Sequence, residues 1–83
     1  MFYVYVLQSE QESNQIYFGQ TDDLRRRFSE HNARKNTSTK RYAPWKMIYY
    51  EAYPSRKMAL AREKQLKSYG QARTVLKKRL NLI

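Results

Sequence analysis

Five side chains in this sequence are of the types that handle phosphate esters: Tyr5, Tyr17, Arg27, His31 and Glu63. A phenol or an imidazole can move a proton, a guanidinium pairs with phosphate, and a carboxylate can hold a divalent cation. Each also has an ordinary explanation. Tyr5 and Tyr17 suit strands as packing aromatics, Arg27 can pair with Glu30 at i, i+3 on a solvated flank, and His31 can be a core or helix-end histidine. Glu63 lies between Leu60 and Leu66, with Ala59 at i−4, on or at the edge of an apolar helix face. A carboxylate there pairs with Lys or Arg, sits half exposed at a cleft, or binds a cation. Taken together, the five suit phosphodiester cleavage: a base for the attacking water, a guanidinium for the phosphate and a metal for the developing charge.

The elements that must position them can be read from periodicity. Phe2 to Leu7 alternates with period two, Phe2, Val4 and Val6 on one face and Tyr3, Tyr5 and Leu7 on the other, so it reads as a central strand with both faces covered. The polar connection Ser9 to Asn14 returns the chain as an antiparallel partner from Gln15 to Gly19, where the glycine is expected to end the strand. Thr21 is the expected N-cap of a helix, with Asp22 and Asp23 in its first turn. At ~100° per residue, Leu24, Arg27, Phe28 and His31 share one side of that helix, and Arg25 and Arg26 point to solvent or to phosphate. Asn36 to Pro44 reads as a mobile basic loop, carrying Lys40 and Arg41 as further candidates for phosphate contact. Trp45 to Tyr53 is a third strand. Ser55 caps a second helix that runs to about Tyr69, with Gly70 as its C-cap, and Gln71 to Leu82 is a shorter basic helix. The fold class is α+β: a three-stranded antiparallel sheet with packed helices in the order β-β-α-β-α-α, strand one in the middle.

With 83 residues the chain has room for one core, so residues 1–83 are expected to form a single domain. Seventeen Lys and Arg against seven Asp and Glu give a net charge of +10, which calls for an anionic partner and makes nucleic acid the first candidate. Charge does not separate DNA from RNA. The absence of cysteine excludes a disulfide framework and a Cys-based zinc site. No apolar run approaches the ~20 residues that span a bilayer, and the amino terminus lacks a basic leader, so no membrane association and a cytoplasmic location are expected.

The same residues resemble the GIY-YIG nucleases. That family's pattern has a strand ending Gly-Ile-Tyr, a second strand reading Tyr-Ile-Gly, and a helix start of the form Thr-x-x-Leu-x-x-Arg-x-x-x-His. Here stand Tyr3-Val4-Tyr5, Tyr17-Phe18-Gly19, and Thr21 through Leu24 and Arg27 to His31, with Ala61-Arg62-Glu63-Lys64-Gln65-Leu66-Lys67 similar to the segment that supplies the family's metal-binding glutamate. Tyr3 replaces the first motif glycine and Phe18 the second isoleucine. The resemblance is closest to small single-domain bacterial members similar to the amino-terminal nuclease domain of UvrC. It implies a metal-dependent DNA endonuclease of repair or recombination, using one Mg²⁺ or Mn²⁺. Tyr5 and Tyr17 would be the motif tyrosines, Arg27 the phosphate ligand, His31 a hydrogen-bond donor or proton shuttle and Glu63 the metal ligand. A protein partner or DNA structure would supply specificity. The alternative is a nucleic-acid-binding module that keeps the fold without cleavage.

Overall fold

A computed structural model describes residues 1–82; Ile83, the last residue of the expected domain, lies outside the described residues. The elements are β1 (Phe2–Ser9), β2 (Ile16–Thr21), α1 (Leu24–Asn32), a 3₁₀ turn (Lys40–Tyr42), β3 (Trp45–Tyr53), α2 (Arg56–Ser68) and α3 (Gly70–Arg79). The sheet is antiparallel in the order β2-β1-β3, with β1 in the middle as its two-sided apolar pattern requires. None of the described helices is long and apolar enough to cross a membrane.

Two layers of side chains cover β1. Val4 and Val6 pack with Phe18, Ala59, Leu66 and Leu76, so α2 and α3 lie on that face. Tyr5 and Leu7 pack on the other with Trp45, Tyr17, Leu24 and Phe28, under α1. Burying an apolar side chain of this size contributes roughly 1.5–3 kcal/mol, which makes β1 the strand that holds both layers together. Its register against β3 shifts between Val6 and Leu7, where Tyr49 and Met47 are the successive partners. Such a bulge twists the strand and re-aims the side chains beyond it.

On the α2 and α3 face, Glu51 accepts four hydrogen bonds from three residues. Arg62 donates from Nε at 2.9 Å and Nη2 at 3.0 Å, and the Tyr49 and Tyr53 hydroxyls donate at 2.6 and 2.5 Å. Burial opposes the charge on Glu51, but Arg62 and the two phenols outweigh it and hold the carboxyl below its usual range. Burial and then Glu51 push the Tyr53 phenol up to about 12. The network ties β3 to α2 one residue before Glu63, so it also sets how α2 lies on the sheet.

Several boundaries differ from those expected. Gly19 does not end β2, which continues to Thr21; no glycine has positive φ, and Gly19 stays in the ladder opposite Tyr5. Thr21 is not the N-cap. Its hydroxyl makes a turn with Asp23, accepting from the amide N–H at 3.0 Å, and Asp23 itself caps α1 by accepting from the Arg26 N–H at 3.0 Å. Asp22 and Asp23 therefore precede the first turn of α1. Ser55 does cap α2, accepting from the Met58 N–H. Gly70 is not its C-cap: Tyr69, extended at φ −111°, closes α2 and opens α3, and Arg73 donates to the free carbonyls of Leu66 and Lys67. Consequently α3 spans Gly70–Arg79 rather than Gln71 to Leu82.

The stretch from Asn36 to Pro44, read from its composition as a mobile basic loop, is anchored at several points. Thr39 and Ala43 are buried, Trp45 Nε1 donates to the Thr39 carbonyl at 2.9 Å, and Arg34 donates to the carbonyls of Lys40 and Ala43. Composition reports solvent preference, whereas these hydrogen bonds come from residues outside the stretch.

Candidate active site

The site lies on the α1 face of the sheet. Tyr5 pairs across the ladder with Gly19, and Tyr17 pairs with Leu7, so the two tyrosines are diagonal neighbours on one face with ring centroids 6.3 Å apart. Gly19 is where it is because of the Tyr5 ring. A Cβ at Gly19 would run into Cζ and Oη of Tyr5 and stand only 2.8 Å from Cε1, so the ring passes directly over the bare backbone.

α1 delivers two more groups to this face. The Tyr5 hydroxyl is 2.8 Å from His31 Nε2, and His31 Nδ1 is 2.7 Å from the Thr39 hydroxyl. His31 is fully buried. Burial first, and the nearby Arg27 charge second, lower its pKa to about 4, so the imidazole is neutral at neutral pH. With Tyr5 as donor to Nε2, Nδ1–H faces Thr39. Burial pushes the Tyr5 phenol up to about 12, with Tyr17 and Glu63 adding to the rise and Arg27 opposing it. Both shifts keep the pair neutral in the free protein.

Arg27 forms the ion pair with Glu30 that its spacing implies, at 3.1 Å, and lies close enough to Tyr5 and Tyr17 for both to act on its charge. Burial works against its charge, but Glu30, Tyr5 and Tyr17 more than offset that and raise its pKa. The pairing with Glu30 thus leaves the guanidinium beside the tyrosines, and only a third of the side chain is exposed.

Glu63 stands on α2, across the sheet from α1, and its charge acts on the Tyr5 phenol from there. Its carboxylate is paired with Lys67 at 3.4 Å, and the Lys67 ammonium lies 5.4 Å from the centre of the Tyr17 ring. The apolar face expected beside it is only half present, since Leu60 is exposed and Ala59 and Leu66 form the buried side. Among the described residues no group of three or more His, Cys, Asp or Glu is arranged to hold a metal. A divalent ion here would have Glu63 as its one protein carboxylate. That donor set fits Mg²⁺ or Mn²⁺, since Mg²⁺ commonly takes one or two carboxylates and completes its shell with water and substrate phosphate.

The four basic candidates are all exposed. Arg25 and Arg26 lie on the outer side of α1, Arg26 already paired with Asp22 at 3.2 Å. Lys40 and Arg41 come directly after Thr39 on the 3₁₀ turn, with Arg41 lying over the Tyr42 ring.

Three contributors do not stand out from sequence as site residues. Thr39, a threonine in a polar stretch, gives no local sign that it will hold His31. Asn32 clamps the start of β3, accepting from the Trp45 N–H and donating to the Trp45 carbonyl. Lys67 has a legible signal, since it stands at i+4 from Glu63 on a helix.

A β2-β1-β3 sheet carrying two diagonal tyrosines, a glycine under one of them, and an arginine and histidine delivered by the next helix has the architecture of a GIY-YIG catalytic domain. That domain matches residues 1–81, and the chain belongs to the GIY-YIG family. Its relatives include a UPF0213 protein of Haloquadratum walsbyi, 38% identical over 68 residues that cover 81% of this chain and 74% of that protein. A UPF0213 protein of Streptococcus pyogenes serotype M5 is 37% identical over 62 residues, 74% of this chain and 65% of that protein. The chain thus spans about two thirds to three quarters of these relatives.

Proposed function

We propose that this domain is a metal-dependent endonuclease that hydrolyses phosphodiester bonds in DNA, in the manner of the small family members similar to the UvrC amino-terminal domain. The single observation that carries this reading is the 2.8 Å contact between the Tyr5 hydroxyl and the buried neutral His31, beside Arg27. A buried phenol bonded to an imidazole with no proton on the facing nitrogen has somewhere to send its proton when it takes one from water. In this reading Nε2 is the accepting atom, and Nδ1, 2.7 Å from the Thr39 hydroxyl, carries the ring proton. Arg27 exchanges part of its contact with Glu30 for the scissile phosphate. Tyr17, with no fixed hydroxyl partner among the described residues, orients the water or the phosphate from the other side. A divalent cation on Glu63 would neutralise charge developing on the phosphate and the leaving oxygen.

The raised Tyr5 pKa bears on timing. The phenol keeps its proton in the free protein and anionic DNA brings no positive charge, so Arg27 and a bound cation would have to supply the positive charge that makes proton transfer favourable. Repair or recombination would use such an activity, with selection supplied by DNA structure or a protein partner.

The test is incubation of plasmid and branched DNA with Mg²⁺ or Mn²⁺. Cleavage should appear with metal and disappear in Glu63→Gln and Arg27→Ala; cleavage that survives both changes overturns the proposal. One observation favours the non-catalytic alternative, a DNA-binding module: Glu63 is engaged by Lys67. That reading requires binding that persists in chelator and no product with any metal.

A further inference from the structure

The face that carries the site does not end at Tyr5. Directly across from Tyr5 on β3 stands Tyr50, and residues opposite each other in a ladder project from the same face. The Tyr50 ring packs edge-to-face against Tyr3, with centroids 6.0 Å apart and planes at 72°. Tyr3 is the residue that replaces the first glycine of the family motif, a substitution the proposed chemistry does not use. Tyr50 is 56% exposed although it lies within a strand. On the other side of β1, Tyr3 pairs with Thr21, from which the chain turns into α1. The first turn of α1 carries Arg25, exposed and without an ion-pair partner among the described residues.

We propose that Tyr3 and Tyr50 form a stacking corner for one unstacked base of a DNA strand, beside the phosphate that Arg27 would hold. The preferred substrate is then DNA with a single-stranded portion, such as a flap, a gap or a free strand. The inference rests on the nuclease reading and names the substrate class of that site. In a duplex each base is already stacked on its neighbours, so only an unpaired base can use an aromatic corner in a sheet face. Base stacking on an aromatic side chain is sequence-tolerant and substantial, and the net charge of +10 supplies attraction for the backbone. A protein partner is the weaker occupant. Two rings make a small patch beside the several hundred Å² of contiguous apolar surface typical of such interfaces.

The experiment measures binding in chelator, where no cleavage can intervene. A labelled single-stranded oligonucleotide carrying 2-aminopurine and its duplex are titrated with the wild-type chain, Tyr50→Ala and Tyr50→Phe. Tyr50→Ala should weaken single-strand binding by about 5- to 150-fold and abolish the fluorescence change of the stacked base, and Tyr50→Phe should stay within about two-fold. Duplex binding should change by less than about two-fold in either variant. Unchanged single-strand binding by Tyr50→Ala, or an equal loss for single strand and duplex, overturns the proposal. Because the readout is metal-free, absence of cleavage with every cation would refute the nuclease reading and leave this result standing separately.

Discussion

Gly19→Ala tests whether the Tyr5 ring is seated as described. Gly19 has an ordinary negative φ, so alanine is free of backbone strain there and its whole effect is the added methyl. That methyl would stand 2.8 Å from Cε1 of Tyr5 and closer still to Cζ and Oη, well inside contact distance. The ring is rigid and 1% exposed, so it must lift or rotate, and either movement carries Oη away from His31 Nε2. Overpacking of this kind costs about 1–3 kcal/mol, and leaving a buried acceptor without its donor costs about 1–3 kcal/mol more. Even a total of about 2 kcal/mol lowers the Tm of a domain this size by roughly 8–16 °C. Urea and thermal unfolding, followed by circular dichroism, would measure the loss. In a Tyr5→Leu background the methyl meets no ring, so the alanine should cost at least about 1 kcal/mol less, a coupling typical of residues in contact. An equal cost in both backgrounds, or a cost below about 0.5 kcal/mol in the wild type, would refute the reasoning.

Other consequences can be checked the same way. His31 has a folded pKa near 4 against an unfolded value near 6.5, so the unfolded chain binds more protons between them and stability falls as pH drops through that window, by up to about 3 kcal/mol. Unfolding of His31→Gln should lose that slope above pH ~4.5; a slope that persists would assign it elsewhere. Glu51, with a depressed pKa, contributes stability that is lost only below its unfolded pKa of ~4.5, so the two effects separate on the pH axis. Glu51→Gln leaves Arg62 without its carboxylate and should cost toward the low end of the ~3–5 kcal/mol of a broken buried pair, since both partners keep some exposure. A loss below about 0.5 kcal/mol in urea titration would show the network to be incidental. Lys67→Met frees Glu63 and should tighten Mn²⁺ binding by about two- to five-fold in calorimetry, the range of a partly exposed pair. Weaker binding would argue that Lys67 supports the ligand rather than competing for it.

Much of the scaffold is legible in the sequence because it obeys period two or 3.6. β1 shows its central place in Phe2 to Leu7 through apolar residues on both faces, and Leu24, Arg27, Phe28 and His31 declare one side of α1 by spacing alone. The motif marks Tyr5, Tyr17, Arg27, His31 and Glu63, and the structure brings the two tyrosines, the arginine and the histidine together. The parts that are not legible depend on partners distant in sequence. Thr39 looks like loop filler until His31 and Trp45 are seen to hold it, and Gly19 looks like a strand end until the Tyr5 ring is seen above it. Gly70 misleads for a related reason: a glycine after a helix usually marks a left-handed cap, but here Tyr69 breaks the helix by going extended.

The most direct test of Tyr5 and His31 as a proton path is the single-turnover cleavage rate of Tyr5→Phe, which removes one oxygen atom and leaves the ring in place. With DNA and Mg²⁺ or Mn²⁺, below the variant's unfolding temperature, the rate should fall by about 10²–10⁴-fold, the contribution of a positioned proton-transfer group. Binding to the same DNA in chelator should stay within about two-fold. A Tyr5→Phe protein that cleaves within about ten-fold of wild type would contradict the assignment.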